Sequence, residues 1–132
     1  MPRPSKQITV GIDRPADEVY AFASNPANVP RWAPGLGESV ELVDGQWFVE
    51  MSDGRFGLAF AEPNGFGVLD HEVTLSSGEV IYNPMRVVAD GDSCEVIFSL
   101  RRQPDMSDAD FERDAGLVQA DLLRLKQVVE SA

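Results

Sequence analysis

A chain of 132 residues suffices for one domain around one core, and 43% hydrophobic with 25% charged residues is ordinary for a globular protein. Twenty-two acids against eleven basic residues leave a net charge of −11, which repels phosphate backbones and anionic bilayers, so no nucleic-acid partner and no membrane partner is expected. No apolar run approaches the ~20 residues of a membrane span, and the single cysteine, Cys94, allows neither an internal disulfide nor a C-x-x-C site.

The opening Met-Pro-Arg-Pro-Ser-Lys lacks a signal-peptide apolar region, and a cytoplasmic location is the expectation. A first strand is predicted over 7–12, where Ile8, Val10 and Ile12 alternate with polar or small residues. Pro15 suits the first turn of a helix over 15–24 with Asp13 as its cap, and Val19, Tyr20, Phe22 and Ala23 give that helix an apolar face. Asn25-Pro26 ends it. A second short helix fits 27–32 before Pro34-Gly35 turns the chain.

From residue 37 to 102 the pattern is of consecutive strands, 46–51, 55–62, 66–75, 79–89 and 93–102, after one holding Val40 and Leu42. Asp44-Gly45, Ser52-Asp53-Gly54, Pro63-Asn64-Gly65, Ser76-Ser77-Gly78 and Asp90-Gly91-Asp92 supply the turns between them. That spacing implies an antiparallel meander, since parallel crossovers would need intervening helices. Gly54, Gly57, Gly65 and Gly67, in or beside strands, permit strong curvature or leave room for a ligand.

The last quarter is a long helix. Phe111, Ala115, Val118, Leu122, Leu125 and Val129 fall on one stripe, Ser107 is the candidate N-cap, and acids precede basic residues along the axis as the helix dipole favours. Beside the stripe, Gly116 and Ala120 form a track of small residues that could set the width of a pocket. The expectation is therefore an α+β single domain over residues 1–132: a curved antiparallel sheet of about seven strands around a long C-terminal helix, with two short helices after the first strand.

This order resembles the helix-grip fold of the START-like (SRPBCC) superfamily, which includes lipid-transfer domains, pollen-allergen-like proteins, polyketide cyclases/dehydrases and ring-dioxygenase subunits. The stretch ITVGIDRPADEVYAFASNPANVPRWAPGL is similar to that superfamily's opening, and DAGLVQADLLRLKQVVE to its closing helix. The resemblance implies a ligand pocket between sheet and helix. It says little about the ligand or reaction, because one fold hosts many chemistries.

The one histidine, His71, alternates with Leu69, Val73 and Leu75 and should point inward, either as a hydrogen-bonded core residue or as a pocket residue. One histidine cannot supply a two-His-one-carboxylate site, so no metal and no cofactor is expected. Asp70 and Glu72 should face away, as surface charges. Pro84 interrupts its strand, so whether Arg86 or Met85 faces inward stays open. Trp32, Trp47, Phe56, Phe60, His71, Tyr82, Phe98 and Leu122 are the candidate lining of a site for a hydrophobic or aromatic small molecule. The alternative is a polyketide cyclase/dehydrase-like enzyme, with His71 as general acid or base and Tyr82 or Arg86 stabilising an enolate. A homodimer is left open.

Overall fold

The computed structural model describes residues 2–33, 38–51 and 54–131. The expected Pro34-Gly35 turn and the Ser52-Asp53 corner lie outside them. Strand β1 (Ser5–Ile12) leads into helix α1 (Ala16–Ala23), a 3₁₀ turn (Pro26–Asn28) and helix α2 (Val29–Trp32). Strands β2 (Ser39–Val43), β3 (Gln46–Met51), β4 (Gly54–Phe60), β5 (His71–Thr74), β6 (Val80–Asn83), β7 (Met85–Asp90) and β8 (Ser93–Arg101) follow, and helix α3 (Asp108–Glu130) closes the chain. The predicted order holds, with one strand divided. The cap of α1 differs from expectation: Pro15 occupies the N-cap position without a side-chain bond, because the Asp13 carboxylate instead accepts from the Ser93 hydroxyl at 3.0 Å.

All pairings are antiparallel, in a five-stranded sheet β2-β3-β4-β5-β6 and a three-stranded sheet β1-β8-β7. Asp44 (φ 50°) and Gly45 (φ 81°) are both left-handed, as a tight turn between β2 and β3 requires. The division comes at Pro84. Its ring nitrogen cannot donate to a ladder, so the single strand expected over 79–89 splits into β6 and β7, which belong to different sheets. Pairing also passes across the break from the other side. His71–Thr74 pairs with β6, whereas the segment before it follows β7, with Leu69 N donating to Met85 O (2.8 Å) and Val87 N to Gly67 O (2.9 Å). The two sheets are thus one curved surface with a crease at Pro84.

Asp70 occupies that crease. It is 8% exposed, not the surface charge expected from strand alternation. Its carboxylate accepts from the Met85 amide at 2.9 Å and from the Tyr82 hydroxyl, and pairs with the Arg86 guanidinium at 3.5 Å. Burial opposes the charge, but these donors outweigh it and hold the Asp70 pKa below the ordinary carboxylate value. The same bond raises the pKa of Tyr82, since a phenolate would face the carboxylate.

The predicted stripe holds α3 in the fold. Phe111, Leu122, Leu125 and Val129 are buried against the sheet, with Ala115 and Val118 half-buried beside them. Leu122 and Leu125 are wholly buried, which stabilises by roughly 1.5–3 kcal/mol each. Ser107 accepts from Asp110 N at 3.1 Å, as a cap should. At the other end Arg14 donates to Glu130 O (2.7 Å) and Lys126 to Gly11 O (2.9 Å), fastening the helix to the β1–α1 corner. Gly116 and Ala120, by contrast, lie off the stripe and face solvent, and neither borders the cavity between helix and sheet described below.

Two glycines test this reading. Gly67 has φ +71°, and an added Cβ would be driven into the Val87 carbonyl oxygen. Gly67→Ala should cost at least about 2 kcal/mol in urea denaturation. Gly116→Ala, with open space around it, should stabilise by ~0.5–1 kcal/mol.

Candidate functional site: a cavity between helix and sheet

Helix α3 packs chiefly on β1 and α2, so its apolar face is satisfied by the three-stranded sheet. Opposite the five-stranded sheet it stands off, and a cavity of about 300 Å³ remains. One wall is Asp114, Leu117, Val118, Asp121 and Leu122 of α3, at the i, i+3, i+4, i+7, i+8 positions of one helix face. The sheet contributes Met51, Phe56, His71, Val73, Leu75, Ile81, Asn83, Phe98 and Leu100, and α2 contributes Trp32. Arg101, Gln103 and Met106 complete it where β8 runs toward α3.

Of the eight residues expected to line a pocket, the structure brings Trp32, Phe56, His71, Phe98 and Leu122 together here. Trp47, Phe60 and Tyr82 are elsewhere. Trp47 is the second residue of β3 and Phe60 the last of β4, toward the opposite end of those strands from Met51 and Phe56, and both border another open depression of about 640 Å³ that also reaches Tyr20. Phe60 still supports the site, its ring centroid 5.1 Å from that of His71. Tyr82 is 43% exposed, because it pairs with Glu72 on the outer face while its neighbour Asn83 pairs with His71 on the inner one.

The question of Arg86 is settled by parity. Ile81, Asn83, Met85 and Val87 all face inward, so the break at Pro84 does not switch faces and Arg86 stays outside with Tyr82, against Asp70. The expected grouping of His71 with Tyr82 and Arg86 is therefore not formed: Asp70 gathers the latter two on the far side of the sheet.

His71 is 3% exposed, between the rings of Phe60 and Phe98. Its Nδ1 lies 3.0 Å from the Leu69 carbonyl oxygen, which can only accept, so Nδ1 carries the proton. Burial lowers its pKa, only partly offset by that carbonyl and by Asp70. The ring is consequently neutral near pH 7, with a bare Nε2 lone pair that has no partner among the described residues. Trp32, 4% exposed, supplies the converse: a buried indole N–H with no acceptor among them.

Sequence reading missed Asp121. It stands between Val118 and Leu125 at spacings of 3 and 4, and an acid interposed at helical spacing within an apolar stripe was the available signal. Burial raises its pKa to about 6, with only Arg124 acting to lower it. No group of three or more His, Cys, Asp or Glu side chains suited to a metal ion occurs among the described residues, nor any helix long and apolar enough to cross a membrane.

No family model matches the chain, and no curated protein matches it. Solved structures do. A START superfamily protein from Mycobacterium smegmatis aligns with TM-score 0.75 at 16% identity, over 96% of this chain and 97% of that one. The di-domain ARO/CYC protein BexL of the BE-7585A biosynthetic pathway aligns with TM-score 0.72 at 17% identity, over 96% of this chain but 46% of its own. A norcoclaurine synthase point mutant from Thalictrum flavum, in complex with a transition-state analogue, gives 0.63 at 16% identity over 99% and 98%. At these identities the likeness establishes the fold: this chain has the START-like helix-grip architecture.

Asp121 carries a pH prediction. Its carboxyl binds protons more tightly folded than unfolded, so its contribution to stability is full below pH ~4 and is lost as pH rises through about 6. His71, with a lowered pKa, acts the opposite way, its contribution being lost on acidification below 6.5. Asp121→Asn should therefore be more stable than the wild type at pH 7.5, by on the order of 1 kcal/mol after solvent screening. That advantage should vanish by pH 4, as denaturant titrations at the two pH values would show.

Proposed function

We propose that the protein binds a small apolar, ring-bearing molecule in the cavity between α3 and the five-stranded sheet. The observation that carries this reading is a wall of apolar side chains that holds a buried polar group without a partner among the described residues, the Trp32 indole N–H, beside a His71 Nε2 that makes no hydrogen bond among them. Leaving such groups unpaired costs stability, about 1–3 kcal/mol for the indole alone, and a ligand's acceptor and donor would recover it. The volume, at the small end for ligand sites, suits one or two rings better than a long acyl chain. Fold relatives that include a synthase holding a transition-state analogue add support.

A second reading is favoured by one observation. A neutral imidazole with Nδ1 tied to a carbonyl presents Nε2 as a base, as proton abstraction next to a carbonyl would need. In that cyclase/dehydrase-like case the Trp32 N–H, rather than Tyr82 or Arg86, would be the donor to an enolate oxygen. Fold relationship to BexL is compatible with it.

Native mass spectrometry of freshly purified protein, together with fluorescence titration of 2-naphthol, tests the binding reading. Val118→Trp, which fills the cavity from the helix side, should weaken 2-naphthol at least about tenfold, while Ala120→Leu, pointing to solvent, should leave it unchanged. Equal effects of the two would sink the assignment of this cavity. Turnover of a small polyketone that His71→Ala abolishes, with affinity kept, would select the enzyme instead.

A further inference from the structure

The polar groups of the cavity are of unequal sign. Two carboxyls, Asp114 and Asp121, stand on its helical wall against a single guanidinium, Arg101, and the buried imidazole offers a lone pair and no proton. Asp121 has no hydrogen-bond or ion-pair partner among the described residues, and Arg101 is not among the charges that act on it. A half-buried carboxyl with only the Arg124 charge acting on it is costly to ionise, and a cation placed beside it lowers that cost. His71 makes a second, independent demand. It is nearly wholly buried, it borders the same cavity, and its Nε2 can be satisfied only by a donor.

We propose that the ligand of this cavity is a small aromatic amine, its ammonium seated against the Asp121 carboxylate and its rings among Trp32, Phe56 and Phe98. This rests on the cavity being the ligand site and names the class that site would take. The ammonium supplies both missing things, positive charge for Asp121 and N–H donors, and the Trp32 face can add a cation–π contribution. Carboxylate ligands are disfavoured, because they would have to be desolvated beside two acids with one guanidinium in return.

The pH dependence follows. An alkylammonium stays charged below pH 9, so its affinity should climb as Asp121 ionises, between pH 5 and 7, and then level off. The other titratable or charged groups facing Asp121 are His71 from β5, Arg101 from the end of β8, and Asp114 and Arg124 on its own helix. Protonation of His71 in acid would oppose the cation in the same direction, so the variant below separates the two.

Three isosteric probes decide it: 2-(2-naphthyl)ethylamine, 2-(2-naphthyl)ethanol and 2-naphthaleneacetate, titrated calorimetrically at pH 5.0 and 7.5. The amine should bind at least about tenfold tighter than the alcohol at pH 7.5, and the acetate more weakly than either. Asp121→Asn should remove the amine's preference and most of its rise with pH, with thermal unfolding checking that the variant is folded. An alcohol that binds as tightly as the amine, or an amine indifferent to Asp121→Asn, overturns the amine assignment and leaves the cavity as a ligand site. A rise with pH that survives in Asp121→Asn transfers the effect to His71 and overturns the role of Asp121. Tightest binding by the acetate reverses the charge assignment toward Arg101. Failure of all three to bind removes the ligand-site reading itself.

Discussion

The fold turns on a crease in its sheet, and the crease on one carboxylate. A continuous strand over 79–89 would leave the sheet to close its curve gradually. Pro84 breaks it, and the chain passes from one sheet to the other within a single residue. The amide just beyond the break, on Met85, is met by Asp70, whose second oxygen takes the Tyr82 hydroxyl on the strand before it. One side chain thus spans the discontinuity that the proline creates. Because Asp70 faces out at the crease, its neighbour His71 faces in, bound through Nδ1 to Leu69, whose amide is itself tied to Met85. The most polar element of the interior is positioned by the same few bonds that hold the two sheets together.

The cavity is a consequence of where α3 spends its apolar face. Leu122, Leu125 and Val129 sink into the three-stranded sheet and the α1–β1 corner, where Arg14 and Lys126 fix the helix end. A straight helix docked there cannot also follow the far, curling part of the five-stranded sheet, and the gap between them stays open along Val118, Phe56 and Ile81. Polar groups at this gap face a low-dielectric space. Each unpaired one there has an energetic meaning that it would lack on the surface, which is why Trp32, His71 and Asp121 together describe what the space is suited to hold.

Much of the architecture was legible in the residues. Alternation of Ile8, Val10 and Ile12 and the 4-3-4-3-4 stripe of α3 are periodic signals that depend only on which side of an element meets the core. Asp44-Gly45 names its own turn. Five of the eight expected lining residues do border the cavity, since an inward-facing aromatic in a curved sheet has few other places to go. What failed was the assignment of position along a strand: Trp47 and Phe60 face the right way at the wrong end, and parity cannot report distance. Asp70 failed for another reason. Strand alternation puts it outside, as it is, but the crease and its three donors bury it, and those donors come from residues 12 to 16 positions away.

By itself, then, the amino-acid sequence determined the element order, the inward residues of the strands other than the one interrupted by Pro84, the buried stripe of the long helix and an interior with one histidine, because these follow from local periodicity and turn chemistry. Only the tertiary structure decided that Tyr82 and Arg86 belong to a clamp outside the sheet, that Gly116 and Ala120 look at solvent, and that Asp121 shares a cavity with His71. Those facts depend on sheet curvature and on the angle at which α3 crosses it, and both are sums over contacts between residues distant in the chain.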